Sequence, residues 1–297
     1  MLTTPCESPP PSIICTTRSK PNSPVYHMGH HRLYVMSFVI IGIMPNTILM
    51  CKPESLTSDN GVDVERAQKQ WQSLYDTYVR VLGWDVRLVE PTPGLSGMTF
   101  ASHHALMLDS KIVLSRLTSP TQQAETDAYE SWFRSAGYHD FYKPDFAFAG
   151  ESEALIWNDA LIVAKRPGNE AADYEAIADF LNVRLIELEL SDPRYRLDTV
   201  LSVIDAQTIT IYPPAFTEKS LDTLYVKVPD VIEADEADTF AYGLNAISDG
   251  EHIMMSDQVR GLREEYRTRS LVVHVTPLTE FHKRGASVKS LGLELRI

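Results

Sequence analysis

The chain has 297 residues, with 27 Lys and Arg against 40 Asp and Glu and 44% hydrophobic residues. That composition excludes fibrous, collagen-like and wholly disordered classes, and the length suffices for one sizeable core or two small ones. The formal net charge of −13 has the wrong sign for a phosphate backbone and no basic patch with interleaved aromatics offsets it, so nucleic acid is not an expected partner.

Residues 1–32 hold one acidic residue, Glu7, against Arg18, Lys20 and Arg32, and are rich in Pro, Ser and Thr. Such a stretch is expected to be a disordered N-terminal extension. Its basic, acid-poor character also fits an organellar targeting segment, although prolines at positions 9, 10 and 11 spoil an amphipathic helix. From Leu33 to Met50 there is no charge, a length at which a membrane span must be weighed. Pro45 and Asn46 interrupt it, and the continuous part, VMSFVIIGIM, reads as a strand buried on both faces.

After the turn-rich KPESLTSDNG, apolar residues at Val64, Ala67, Trp71, Leu74, Tyr78 and Val81 step by three and four, which predicts a helix stopped by Gly83. WDVRLVE then reads as a strand before a PTPG turn. The same grammar recurs: strands KIVLSR, ALIVA, VRLIEL, TITIY and LVVHV alternate with helical patterns over 124–136, 170–181, 216–224 and 257–268. The spacing predicts an α/β protein of about five strand-and-helix units within one domain over residues 33–297. Cys6, Cys15 and Cys51 are too few and too local for a disulfide framework or a zinc site, which points to a reducing compartment, cytoplasmic or mitochondrial. No thiol follows Cys51.

Five blocks, FAGESEALIW, LSDPRYRLDTVLSVID, TITIYPPAF, YGLNAISDG and RGASVKSLGLEL, resemble in order and separation the dimethylarginine dimethylaminohydrolase and amidinotransferase group of guanidine-modifying enzymes. The resemblance implies the pentein fold, a five-bladed pseudo-symmetric α/β propeller of ββαβ modules with substrate in a central channel. It also implies a cysteine nucleophile, a histidine proton relay and carboxylates that hold a guanidinium. The nucleophile's block here ends in Ser290, and the relay's block reads Arg196, Leu197, Asp198, Thr199. Arg196 does not deprotonate in proteins and is no general base. The acidic block keeps Glu151, for the family's acid, and Glu153; the early substrate block keeps only Gly97 and His103 beside Phe100.

These departures lead to the expectation of a catalytically inactive pseudoenzyme, leaning away from an enzyme, with a structural, regulatory or subunit role. Glu153, Asp198, Gly97 and His103 are then vestigial substrate-binding positions. The alternatives are an active guanidine hydrolase with relocated catalytic residues, Cys51 being a reserve nucleophile, or a binder of arginine derivatives without turnover. An unassisted Ser290 hydroxyl is a weak nucleophile. Among the histidines, His274 reads as a satisfied strand residue, His252 and His282 as exposed helix or loop positions. His103, His104 and Glu151 do not make a metal site, because adjacent strand residues point to opposite faces. No cofactor or metal is expected. The partners implied are other proteins in a larger assembly, a second copy of the chain, or an arginine-derivative ligand. The Arg196 guanidinium is expected beside Glu151 or Asp198, in the seat where the family holds a ligand's guanidinium.

Overall fold

The computed structural model describes residues 47–165 and 172–297. The expected N-terminal extension and the VMSFVIIGIM strand lie outside the described residues. Among the described residues the first strand is β1 (Thr47–Cys51), just after the Pro-Asn pair. Among the described residues no helix is long and apolar enough to cross a membrane.

The fold repeats one unit: a short hairpin, a crossover helix, and a third strand parallel to the second. β3 (Ala105–Leu108) and β4 (Lys111–Leu114) pair antiparallel, α2 (Pro120–Ser135) crosses over, and β5 (Asp140–Tyr142) lies parallel to β4. β6 (Ala154–Trp157), β7 (Ala160–Lys165), α3 (Tyr174–Leu181) and β8 (Arg184–Glu189) repeat it. So do β9 (Leu201–Val203), preceded by the single turn α4 (Leu197–Val200), then β10 (Thr208–Ile211), α5 (Glu218–Lys227) and β11 (Asp230–Glu233). After α6 (Glu236–Phe240) come β12 (Ile247–Ser248), β13 (His252–Ser256), α7 (Gly261–Thr268) and β14 (Val272–Thr276). The last sheet joins the two ends of the described chain. Beyond α8 (Thr279–His282) and α9 (Val288–Leu291), β15 (Leu293–Glu294) pairs antiparallel with β1, which runs through α1 (Val64–Asp76) to the parallel β2 (Asp85–Val89). The result, among the described residues, is five three-stranded sheets.

Local chemistry explains the repeat. The first two hairpins turn on residues with left-handed backbone, Asp109 and Ser110 in one and Asn158 in the other, which two-residue hairpin turns require. Helices start where a side chain accepts from the exposed N–H groups: Asp63 from Arg66, Ser119 from Gln122, Asp173 from Ala176. The Asp173 cap places the start of α3 at Tyr174, later than the apolar pattern suggests. α7 starts at Gly261, not at Asp257, because Asp238 of α6 accepts from the N–H groups of Arg260, Gly261 and Leu262. That cap comes from over twenty residues away, so no local signal announces it.

Side-chain alternation on β1 shows where the core sits. Ile48 and Met50 pack with Trp71 and Leu74 of α1, while Leu49 and Cys51 pack with Tyr129 and Phe133 of α2. A strand between two helix layers is apolar on both faces, which is why TILMC reads as a continuous run. Each fully buried large apolar side chain contributes about 1.5–3 kcal/mol.

Candidate functional site

The segment just before one edge strand of each sheet carries polar side chains into one region. Ala101–His103 precedes β3, Gly150–Ser152 precedes β6, α4 precedes β9, Asn245 stands just before β12, and α9 precedes β15. These tips pack on one another: α9 and Gly150–Ser152 both lie against Ala101–His103, and α4 lies against Gly150–Ser152. Positions from 103 to 290 thereby converge.

At the centre Ser290, Asp198 and Asn245 are all fully buried. The Ser290 hydroxyl is placed to donate to Asp198 Oδ2 and to Asn245 Oδ1, each at 3.2 Å. Asn245 Nδ2 donates to Asp198 Oδ2 at 2.9 Å, and Asn245 Oδ1 accepts from the N–H groups of Ser287 at 2.9 Å and Ser290 at 3.2 Å. The amide clamps the carboxylate to the loop that presents Ser290. Asn245 is the site residue that sequence reasoning missed, since YGLNAISDG reads as scaffold. Its one signal is a polar residue amid apolar neighbours at a strand entry.

Arg196 Nε donates to Asp198 Oδ1 at 3.1 Å, and Nη2 donates to the Gly285 carbonyl at 2.7 Å. Asp198 foremost, and Tyr242 and Glu153 after it, raise the Arg196 pKa against the opposing effect of burial, so the group is a permanent cation. Of the two carboxylates expected beside Arg196, it meets Asp198. Glu151 is engaged elsewhere: Lys289 Nζ donates to its Oε2 at 2.8 Å and Arg296 Nη1 to its Oε1 at 2.6 Å. The same two cations also pair with Glu294. Two acids and two bases close a buried network in which both Glu151 oxygens are engaged. Glu153 is buried nearby.

Gly97 is filled in by its own protein. Its N–H donates to Glu125 Oε1 at 2.7 Å, and a Cβ there would stand 2.3 Å from the other carboxylate oxygen. The His103 ring stacks on Phe100, and its carbonyl accepts from Ser115 Oγ at 2.7 Å. His104 is buried against Tyr129, and burial pushes its pKa down to about 4. His282, expected on an exposed helix or loop, is half-buried in α8 with its ring on Tyr242, and burial lowers it likewise to about 4. Its Nε2 lies 3.4 Å from Ser287 Oγ. His252 lies on β13 rather than in a loop. His274 sits on β14 as expected, but its Nε2 is buried with no hydrogen-bond partner among the described residues. Cys51 is fully buried on β1, and burial drives its thiol up to about 12, so it supplies no thiolate and falls out as a reserve nucleophile.

No family model matches the chain. It is 34% identical over 235 residues to the dimethylarginine dimethylaminohydrolase of Mycobacterium tuberculosis, covering 79% of this chain and 77% of that protein. The chain belongs to the dimethylarginine dimethylaminohydrolase family. A second relative is the bifunctional arginine dihydrolase/ornithine cyclodeaminase ArgZ of Synechocystis, 30% identical over 265 residues, which cover 84% of this chain and 37% of ArgZ. The chain thus spans little more than a third of that protein's length. Among solved structures, the N-terminal domain of ArgZ as a cysteine-to-serine mutant bound to substrate matches with a TM-score of 0.79, covering 84% of this chain and 98% of that one. A dimethylarginine dimethylaminohydrolase adduct at 17% identity has a TM-score of 0.71 and shares the fold. These relatives of the family are hydrolases by name, which overturns the expectation that leaned away from an enzyme.

Proposed function

We propose that the chain is a guanidine-compound hydrolase that converts arginine or a methylated arginine to citrulline, in which a serine hydroxyl stands in for the family's thiol. In this reading residues 33–297 form one domain, the five sheets close into the five-bladed propeller, and the converging strand entries form the floor of its channel. Ser290 takes the nucleophile's position, Arg196 the relay's, and Asp198 with Glu153 the carboxylate positions. The carrying observation is the Ser290 hydroxyl 3.2 Å from the buried Asp198 carboxylate, with Asn245 bracing both.

The chemistry follows from those contacts. Ser290 Oγ attacks the guanidinium carbon, its proton passing to Asp198 Oδ2, and Asp198 delivers that proton to the departing amine as the C–N bond breaks. Water then releases the product from Ser290. Arg196 accepts no proton and holds the Asp198 carboxyl in place through Nε. A carboxylate is a weak base for a hydroxyl, so turnover is expected to be slow. A second reading, a binder of arginine derivatives without turnover, is favoured by the absence of any cysteine after Cys51.

Citrulline release from arginine and its methylated forms tests both, with the natural chain beside the double variant Arg196→His, Ser290→Cys. Slow release abolished by Ser290→Ala supports the hydrolase. Calorimetric binding without release, at protein concentrations that would reveal a rate reduced about a millionfold, establishes the binder.

A further inference from the structure

A cavity of ≈340 Å³ opens in front of Arg196, walled by Tyr195, Val200, Phe240 and Tyr242, with Arg194 at its rim. Among the described residues no Asp or Glu lines it; Asp198 lies behind Arg196, fully buried. The volume suits a molecule of amino-acid size.

Two features aim donors into this space. Gly285 has φ of +72°, and a Cβ there would meet, besides its chain neighbours, only Arg196 Nη1 at 3.5 Å and the Tyr242 hydroxyl at 3.9 Å. Nε and Nη2 of Arg196 are taken by Asp198 and the Gly285 carbonyl, so Nη1 is the donor that faces the gap. Tyr242 itself has φ of +60°, a conformation a bulky side chain holds only at a cost. Its ring stacks on His282 at 4.7 Å, and its hydroxyl donates to the His282 carbonyl at 3.2 Å. The strained backbone and the missing side chain thus bring a guanidinium N–H and a phenol to one unfilled point.

We propose that this cavity binds a small organic carboxylate, one oxygen accepting from Arg196 Nη1 and the other from the Tyr242 hydroxyl, which turns from the His282 carbonyl to the ligand. Charge-assisted donation from an arginine is the strong part of such a contact, and the aromatic wall covers the ligand's carbon chain. The inference does not rest on chemistry at Ser290, since it requires no bond to that residue.

Calorimetry on the full chain with glutarate, a dicarboxylate without a guanidine group, tests it, with agmatine as a guanidine that lacks a carboxylate. Glutarate is expected to bind and agmatine not to displace it. Tyr242→Phe is expected to weaken glutarate at least threefold and Arg196→Gln at least tenfold, while Arg80→Gln in the Thr77–Val81 turn after α1 leaves it unchanged. The proposal is overturned by no glutarate binding, by displacement with agmatine, or by equal affinity in Tyr242→Phe. Should Arg196→Gln lose its fold by circular dichroism, Tyr242→Phe decides alone. Citrulline release is a separate readout, so either idea can fail without the other.

Discussion

The guanidinium of Arg196 meets the carboxylate of Asp198 at 3.1 Å, and the carboxylate is fully buried while about a quarter of the Arg196 side chain remains exposed. The arginine lids an anion that otherwise has Ser290 and Asn245 for company. An imidazole at position 196 leaves that anion without its fixed cation. Arg196→His is therefore expected to destabilise the fold by about 1–3 kcal/mol, seen as a lower urea midpoint. An unchanged midpoint would show that Asp198 does not need the guanidinium.

The Lys289, Glu151, Glu294, Arg296 network is a second buried dependence. Arg296→Ala leaves two acids against one base in a site closed to water, with an expected loss of about 3–5 kcal/mol. Burial alone raises the Glu294 carboxyl, but Arg296 and Lys289 outweigh it and hold the group below the usual carboxylate range. A lowered folded value stabilises fully above the unfolded value of about 4.3 and is lost as pH falls through the folded one. Denaturation from about pH 5 downward should be shallower in Arg296→Ala. Acid titrations of equal steepness would count against the network.

His104 and His282 titrate at about 4 in the fold against about 6.5 when unfolded. The neutral forms stabilise above pH 6.5, and that contribution drains away as the solution is acidified toward pH 4. Urea midpoints at pH 7, 6 and 5 should fall, and the fall should be smaller in His282→Gln. Parallel lines for the two proteins would remove His282 from the account.

Cys51 should be inert in the native chain, because a buried thiol with a pKa near 12 offers almost no thiolate at pH 8. Iodoacetamide followed by peptide mapping is expected to label Cys51 only after unfolding in urea. Fast native labelling would return it to the list of nucleophile candidates.

Much of this protein is legible in the chain. Steps of three and four from Val64 to Val81 foretell α1, which runs into a π-helical turn over Thr77–Val81. Apolar runs foretell at least one strand in each sheet, and two, β7 and β8, in one of them. What stayed hidden were the short strands, such as the two-residue β12 and β15, which carry too few side chains to show a period. The existence of β15 rests on a partner far along the chain, Ile48 opposite Glu294.

The candidate site divides the same way. The sequence by itself determined the chemical inventory: a serine at 290, an arginine at 196, carboxylates at 151, 153 and 198, and no thiol beyond Cys51. Which of these meet was decided only by the tertiary structure, because hydrogen bonds and ion pairs act over about 3 Å while the groups lie up to about 140 residues apart. Folding gave Glu151 to Lys289 and Arg296, gave Asp198 to Arg196, Ser290 and Asn245, and closed Gly97 with Glu125. A buried charge must find a partner of opposite sign, and which partner it finds is a property of packing that no local pattern encodes.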